Sequence, residues 1–135
     1  MRDFPDTYSY SKRMAEHLLA AVNIKASKPV NIVMIRPSIV AAAAIEPMEG
    51  WTDTDGLLSG LTLALGLGVL KDMPGNPEAC ADIIPVDIVA HQILASAAFA
   101  TMHPESLNNE RVLVVHSSTS ANNPVTYEKF FKALI

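Results

Sequence analysis

The feature that most constrains the fold is an amphipathic helix pattern followed by a short, largely apolar strand pattern. Apolar residues recur at helical spacing from Met14 to Val22, and Ser27-Lys28-Pro29 ends that pattern. Residues 30–35 are rich in β-branched side chains and apolar on both faces, which is typical of a strand buried in a parallel sheet. A helix leading into such a strand predicts an α/β fold with a parallel sheet.

The same alternation continues along the chain. We predict a helix over residues 56–65, an extended segment over 80–85, a helix from Val86 to about residue 100, a strand over 111–116 and a final helix capped by Thr126. The predicted buried stripes are Met14, Leu18, Leu19 and Val22 in the first helix and Val89, Ile93, Leu94 and Ala97 in the third. Asp6 or Thr7 is the expected cap of the first helix, and Asp53 or Asp55 that of the second. Since no linker or repeat interrupts the pattern, residues 1–135 are expected to form a single unit.

Composition excludes several classes of function. The net charge is −4 and no run of Lys or Arg occurs, which argues against a nucleic-acid surface. Cys80 is the only cysteine and the four histidines are scattered, so we expect no metal site and no internal disulfide. The longest apolar stretch, residues 57–70, contains Gly, Ser and Thr and is shorter than the ~20 residues that span a bilayer.

Tyr8 and Lys12 form the first candidate for catalysis. Four residues apart on a helix, they lie on one face. An ammonium near a phenol favours the phenolate, so such a tyrosine can give its proton to a carbonyl oxygen. The same lysine can donate hydrogen bonds to a nucleotide ribose. Tyr10 is less suitable, because Met14 stands four residues beyond it. The spacing also arises by chance, so the pair by itself is a hypothesis.

The second candidate is Pro37-Ser38-Ile39, where the first strand ends. Proline cannot donate to a strand ladder, so pairing is expected to stop at Pro37. Ligands of open parallel sheets bind beyond the carboxyl ends of the strands, which places these residues and their free backbone groups near a ligand. The alternative is a simple exit from strand to loop. Residues 41–44 are small and fit either a loop or a continuing strand.

Trp51 is the only tryptophan and follows a loop-forming segment, Glu46-Pro47-Met48-Glu49-Gly50. A tryptophan on a loop either covers a pocket or plugs the core, and composition alone favours the plug. Gly66-Leu67-Gly68 lacks the third glycine of a dinucleotide fingerprint, and a helix pattern precedes it.

Several segments together resemble a known family. Tyr8-Ser9-Tyr10-Ser11-Lys12 is similar to the Tyr-x-x-x-Lys element of the extended short-chain dehydrogenases/reductases. Within them the chain resembles the fatty acyl-CoA reductases, or male-sterility-type reductases, over nearly its full length. The segments that carry the resemblance, in order, are residues 6–16, 35–40, 46–51, 82–89, 116–120 and 124–126.

The resemblance implies a partial Rossmann-like fold, the C-terminal half of an extended short-chain dehydrogenase/reductase domain, with parallel strands and flanking helices. It implies that NADPH reduces the thioester of a long-chain acyl-CoA to an aldehyde and, in most members, to an alcohol. Tyr8 is then the proton donor and Lys12 the residue that holds the ribose and activates Tyr8. Pro37, Ser38 and Ile39 line the nicotinamide end, and Trp51 is a substrate-side or lid residue.

The sequence departs from the family in two respects. The Gly-x-x-Gly-x-x-Gly phosphate loop and the usual upstream Ser or Thr do not occur in it. Both would precede Met1, so we expect this chain to be the C-terminal part of a reductase domain that alone neither binds NADPH tightly nor turns over. The family further suggests an intracellular protein at the ER, a peroxisome or a plastid, with any membrane anchor outside this segment.

Two other readings remain open. The chain could belong to a different extended reductase, such as a carrier-protein thioester reductase or a sugar-nucleotide or sterol enzyme, although Glu46 to Trp51 counts against these. It could also be a non-catalytic module that serves association, including self-association, through an uncovered apolar sheet edge.

Overall fold

The computed structural model describes residues 4–53, 56–108 and 111–134. The described chain contains four α-helices, four strands and a 3₁₀ turn. In chain order they are α1 (Thr7–Lys25), β1 (Ile32–Pro37), β2 (Ile39–Ala41), α2 (Leu57–Gly66), β3 (Ile83–Pro85), α3 (Val86–Met102), the 3₁₀ turn (Pro104–Ser106), β4 (Val112–Ser117) and α4 (Tyr127–Leu134). Strand β1 pairs with β4, and β2 pairs in parallel with β3. The predicted α/β class with parallel strands and flanking helices is confirmed and is consistent with a partial Rossmann-like fold.

Contacts divide the chain into two compact units. The first comprises Met1–Arg36 and Leu94–Val115, and the second comprises Pro37–Ile93 and His116–Ile135. The organisation of residues 1–135 as a single unit stays a prediction. Within the described ranges, no helix is both long and apolar enough to cross a membrane.

In the first unit, polar side chains fix both ends of α1. Asp6 caps the helix by accepting a 2.6 Å hydrogen bond from the Ser9 N–H, which confirms one of the two predicted caps. At the other end, the buried Asn23 amide donates to the Val30 carbonyl and accepts from the Val30 N–H, at 2.8 and 2.9 Å. Because Val30 is held in this way, β1 begins at Ile32, two residues later than predicted.

The predicted buried stripe of α1 is wrong. Met14, Leu18, Leu19 and Val22 are exposed by 39 to 67%. The spacing correctly placed these residues on one helix, but it carries no information on whether an element covers that face. In the described structure α1 is instead attached through Asn23 and through an ion pair of Glu16 with Arg36.

The stripe predicted for α3 is wrong in three of its four positions. Val89 is buried, whereas Ile93 and Leu94 are exposed by 49 and 69% and Ala97 is also exposed. The helix is apolar around most of its circumference, so hydrophobic periodicity could not select the packed face. The buried positions include Asp87, Ser96 and Ala100.

In the second unit, β2 and β3 form a parallel pair in which Ile39 is opposite Ile83 and Ala41 is opposite Pro85. At residues 37–39, which we call the proline-containing tip, the chain changes its pairing partner from β4 to β3. Strand β1 ends at Pro37, as predicted, and β2 starts at Ile39. Ala41, the first of the small residues 41–44, therefore belongs to a strand and not to a loop.

The caps of the last helices of this unit differ in origin. The N-cap of α2 is Gly56 and makes no side-chain capping bond, so the predicted Asp53 cap is wrong; Asp55 lies outside the described residues. Thr126 caps α4 as predicted, since its hydroxyl accepts from the Lys129 N–H at 3.3 Å.

Candidate active site

Tyr8 and Lys12 lie together on the first turns of α1. The Lys12 Nζ is 5.4 Å from the centroid of the Tyr8 ring and lies over its face, a cation–π contact. Tyr8 is 69% exposed, so its hydroxyl is open to a ligand. The helix cap at Asp6 fixes the backbone of this turn. The structure thus brings the predicted proton donor and its lysine together.

Glu16 continues the same helix face one turn beyond Lys12. Its two carboxylate oxygens accept from Nε and Nη2 of Arg36, at 2.9 and 2.6 Å, in a bidentate pair. The Arg36 hydrogen bonds hold the pKa of Glu16 below its ordinary value, and the Glu16 hydrogen bond raises the pKa of Arg36. Neither residue was predicted as a site residue, although the spacing of Tyr8, Lys12 and Glu16 at steps of four is visible in the sequence.

The proline-containing tip lies in the second unit and has fewer free groups than predicted. The Ser38 N–H donates to the Ser117 carbonyl at 2.8 Å, and the Ile39 N–H donates to the Asp82 carbonyl at 3.1 Å. Neither backbone donor is therefore open to a ligand, because sheet pairing resumes directly after Pro37. What the tip offers is the exposed apolar surfaces of Pro37 and Ile39.

Two buried hydroxyls mark this tip. Within the described residues, Ser38 Oγ and Ser117 Oγ make no hydrogen bond of ordinary geometry. The Ser38 hydroxyl is nevertheless near enough to Asp82 to contribute to the lowered pKa of that carboxyl. Buried hydroxyls without partners are uncommon, and both of these are closed off from the surface, where a ligand would bind.

Asp82 organises the loop that follows β4. It accepts from the Ser118 hydroxyl at 2.8 Å, the Ser120 hydroxyl at 3.1 Å and the Thr119 N–H at 3.1 Å. These bonds, that of Ser118 foremost, lower the pKa of Asp82. The sequence showed a polar loop at residues 117–124 but no sign of its partner, which stands 36 residues earlier than Ser118.

Trp51 lies on the predicted loop and is 37% exposed, too open for the core plug that composition favoured. Its carbonyl accepts from the Ala43 N–H at 2.9 Å, which closes the loop.

Asp87, at the start of α3, accepts from the backbone N–H groups of Ala44, Ile45 and Glu46 at 2.9 to 3.2 Å. These bonds, with that of Ala44 foremost, hold the pKa of Asp87 far below its ordinary value.

Trp51 also borders a cavity of about 540 Å³ between this loop and α3, together with Pro47, Ala90 and His91. His91 Nε2 is 3.2 Å from the Glu46 carboxylate across it. In the parts of the chain that the structure describes, no group of three or more His, Cys, Asp or Glu could hold a metal ion.

The predicted site residues fall into both units. Tyr8 and Lys12 belong to the first, and Pro37, Ser38, Ile39 and Trp51 belong to the second. Parallel strands with flanking helices define an α/β protein, and folds of this class bind ligands beyond the carboxyl ends of their strands.

Comparison with known proteins gives the family. The model of a family of NAD-binding domains, described as "Male sterility protein", matches residues 1–93, and the chain belongs to this family. It is 39% identical over 122 residues to fatty acyl-CoA reductase 1 of Xenopus laevis, 36% over 130 residues to fatty acyl-CoA reductase 2 of Homo sapiens, and 37% over 123 residues to fatty acyl-CoA reductase 1 of Rattus norvegicus.

These matches cover 90 to 96% of this chain but only 22 to 24% of the relatives' length. The resemblance seen in the sequence to the fatty acyl-CoA reductases is therefore confirmed over most of the chain. The family also implies a nicotinamide cofactor, since its domain is of the NAD-binding type.

Proposed function

We propose that this chain supplies the proton-donating part of the active site of a fatty acyl-CoA reductase, which reduces a long-chain acyl-CoA thioester to an aldehyde and then to an alcohol with NADPH. The observation that carries the proposal is the Lys12 ammonium over the ring of an exposed Tyr8, in a chain of this family. The choice of NADPH and of the alcohol as final product rests on the resemblance.

In this proposal Tyr8 gives its hydroxyl proton to the carbonyl oxygen of the thioester as the hydride reaches the carbonyl carbon, which forms a hemithioacetal. The hemithioacetal then breaks its C–S bond and gives its hydroxyl proton to the sulfur, so that CoA leaves as the thiol and the aldehyde remains. Lys12 stabilises the negative charge left on the phenol oxygen and donates hydrogen bonds to the ribose of the cofactor. NADPH, when bound, supplies the hydride.

The Glu16–Arg36 pair supports this role of Lys12. Glu16 is four residues beyond Lys12, the spacing at which the two side chains would otherwise form an ion pair along the helix. Arg36 occupies both oxygens of Glu16, and Arg13 adds a contact at 3.3 Å. Lys12 is thus left to lie over Tyr8 rather than over the carboxylate.

The residues at the strand tip fit a nicotinamide cofactor. Pro37 and Ile39 are the exposed part of the tip, whereas the hydroxyls of Ser38 and Ser117 are buried. Pro37 and Ile39 add apolar surface against which a ring can lie. The tip offers no anchor for the pyrophosphate, so we propose that tight cofactor binding needs the glycine-rich loop that this sequence lacks.

Two measurements test the proposal. The first follows NADPH absorbance with long-chain acyl-CoA, acyl carrier protein thioester and nucleotide sugar, using a protein that joins this segment to a glycine-rich cofactor loop. Only acyl-CoA should be reduced; turnover of the nucleotide sugar instead would assign a different extended reductase. The second titrates NADPH with the 135-residue chain alone, where tight binding would contradict the need for the loop.

A second candidate function, an association module, is favoured by one observation. Met14, Leu18, Leu19 and Val22 form an exposed apolar face on α1. We propose that this face is covered in the whole protein by self-association. Sedimentation of the chain as a strict monomer would remove this candidate.

A further inference from the structure

Two adjoining cavities lie at the carboxyl end of the parallel strand β2 in the second unit. The larger is about 400 Å³ and the smaller about 140 Å³. They share the walls formed by Ala41, Ala42, Thr52, Leu58 and Ser59. We name them together the β2–α2 channel. The carboxyl end of parallel strands is where ligands of this fold class bind.

The walls of the larger cavity of the β2–α2 channel are uncharged and mostly apolar, and the smaller cavity is bordered by one charged residue, Asp53. In the larger cavity, α2 contributes Leu58 and Leu63, and α4 contributes Phe130. None of the described residues that line this cavity is charged. The Thr52 and Ser59 hydroxyls are 3.4 Å apart, and the Thr62 hydroxyl donates to the Leu58 carbonyl at 2.8 Å. These three hydroxyl groups therefore have protein partners and do not require a polar ligand.

Two further cavities, unlike the larger cavity of the channel, have charged groups on their borders. The cavity beside Trp51 and α3 is bordered by Glu46, Asp87 and His91. The cavity between residues 73–79 and α4 is bordered by Glu128, which is paired with Lys132 at 2.6 Å. An acyl chain placed beside these charged groups would remove part of their hydration, which is unfavourable for binding.

We infer that the β2–α2 channel holds the acyl chain of the substrate, an inference that rests on the proposed function. Strand β2 leads from the proline-containing tip directly into the channel. At about 3.3 Å per residue, Ala41 lies roughly 10 Å along the chain from Ser38, a distance of several methylenes. The thioester then reacts at the tip while the chain extends along α2. Small residues at Ala41, Ala42 and Ser59 leave the volume open.

Trp51 gives a direct readout of this binding. It is the only tryptophan in the sequence and borders the smaller cavity. We would titrate the 135-residue chain with octanoyl-, dodecanoyl- and hexadecanoyl-CoA, below their micelle-forming concentrations, and with CoA alone. The expected result is a change in Trp51 emission with the acyl compounds only. Affinity should rise by up to about fourfold for each further methylene buried, until the channel is full.

A matched pair of variants locates the chain. Thr62 borders the larger cavity, whereas Thr101 lies on α3 in the other unit; both are exposed, and both donate to the carbonyl four residues earlier, at 2.8 and 2.9 Å. Thr62→Phe should fill the cavity and weaken hexadecanoyl-CoA binding at least about tenfold. Thr101→Phe should leave it unchanged.

Thr62→Glu and Thr101→Glu repeat the comparison with a charge instead of bulk, and circular dichroism checks folding. If neither Thr62 variant folds, the chain-length series of the unaltered protein decides. Equal emission changes with CoA alone, affinity independent of chain length, or Thr62 variants that bind like their controls would each overturn the inference.

The outcomes also separate this inference from the proposed function. The protein that carries a glycine-rich loop could bind acyl-CoA in a chain-length-dependent way without reducing it. That result would support the channel as a lipid-binding site and contradict the proposed reductase function. Reduction whose chain-length preference is unaffected by Thr62→Phe keeps the reductase and removes the channel.

Discussion

Arg36 holds both carboxylate oxygens of Glu16, with Nε 2.9 Å from Oε1 and Nη2 2.6 Å from Oε2. The pair joins the helix face that carries Tyr8 and Lys12 to the last residue before Pro37. A bidentate arginine pair fixes orientation as well as distance. This ion pair therefore attaches α1 to β1, a role that the exposed apolar stripe of α1 does not fill.

Arg36→Lys should separate geometry from charge. Lysine keeps the positive charge but makes only a point contact, so Glu16 becomes available to Lys12. In the protein with a glycine-rich loop we expect kcat to fall about tenfold, with a stability loss of about 1 kcal/mol because the pair is partly exposed. Arg13→Lys, which alters a single 3.3 Å contact to Glu16, is the control and should change neither. An unchanged kcat for Arg36→Lys would show that the pair does not orient Lys12.

The same pair predicts a pH dependence of stability. The hydrogen bonds of Arg36 lower the folded-state pKa of Glu16 from 4.5. The unfolded state therefore binds more protons than the folded state near and below pH 4.5. The contribution of the pair to the free energy of unfolding is present above that pH and is lost as the pH falls through the lower pKa of the folded state. Urea unfolding between pH 3 and 6 should show a shallower acid loss for Arg36→Met than for the unaltered chain. Parallel curves would contradict this assignment.

Asp87→Asn tests the anchor of the Trp51 loop. The asparagine side chain keeps one acceptor oxygen. It loses the negative charge and the second oxygen of the carboxylate that accepts from the backbone N–H groups of Ala44, Ile45 and Glu46. We expect Tm to fall by several degrees and the emission of Trp51 to change. Since the folded pKa of Asp87 is strongly lowered, the difference from the unaltered chain should persist at neutral pH and shrink only in strong acid. Asp72→Asn, in an exposed loop, is the control.

Tyr8→Phe tests the proton donor by removing only a hydroxyl. In the protein with a glycine-rich loop, kcat should fall by at least about 100-fold, the range for loss of a general acid. Tyr10→Phe is the matched control, because Tyr10 packs edge-on against Phe4 at 5.5 Å and has no lysine at the same spacing. Near-normal reduction by Tyr8→Phe would show that another group protonates the carbonyl.

Local patterns predicted the elements well because short-range geometry controls them. A cap needs a side chain within three residues, so Asp6 and Thr126 were found, and Pro37 ends its strand because it lacks an N–H. The Asp53 cap failed because Gly56 took that position without a side-chain bond. Strand β1 started late because the Asn23 amide binds the backbone of Val30, seven residues away.

The sequence by itself determined the alternation of helices and strands, the one-turn spacing of Tyr8 and Lys12, and the family. Only the tertiary structure decided which faces are buried, that Arg36 holds Glu16, and that Asp82 and Asp87 anchor their loops. The physical reason is the range of the interactions. Spacing along a helix follows from the geometry of the backbone, whereas pairing of groups 20 to 43 residues apart depends on how the whole chain brings its elements together.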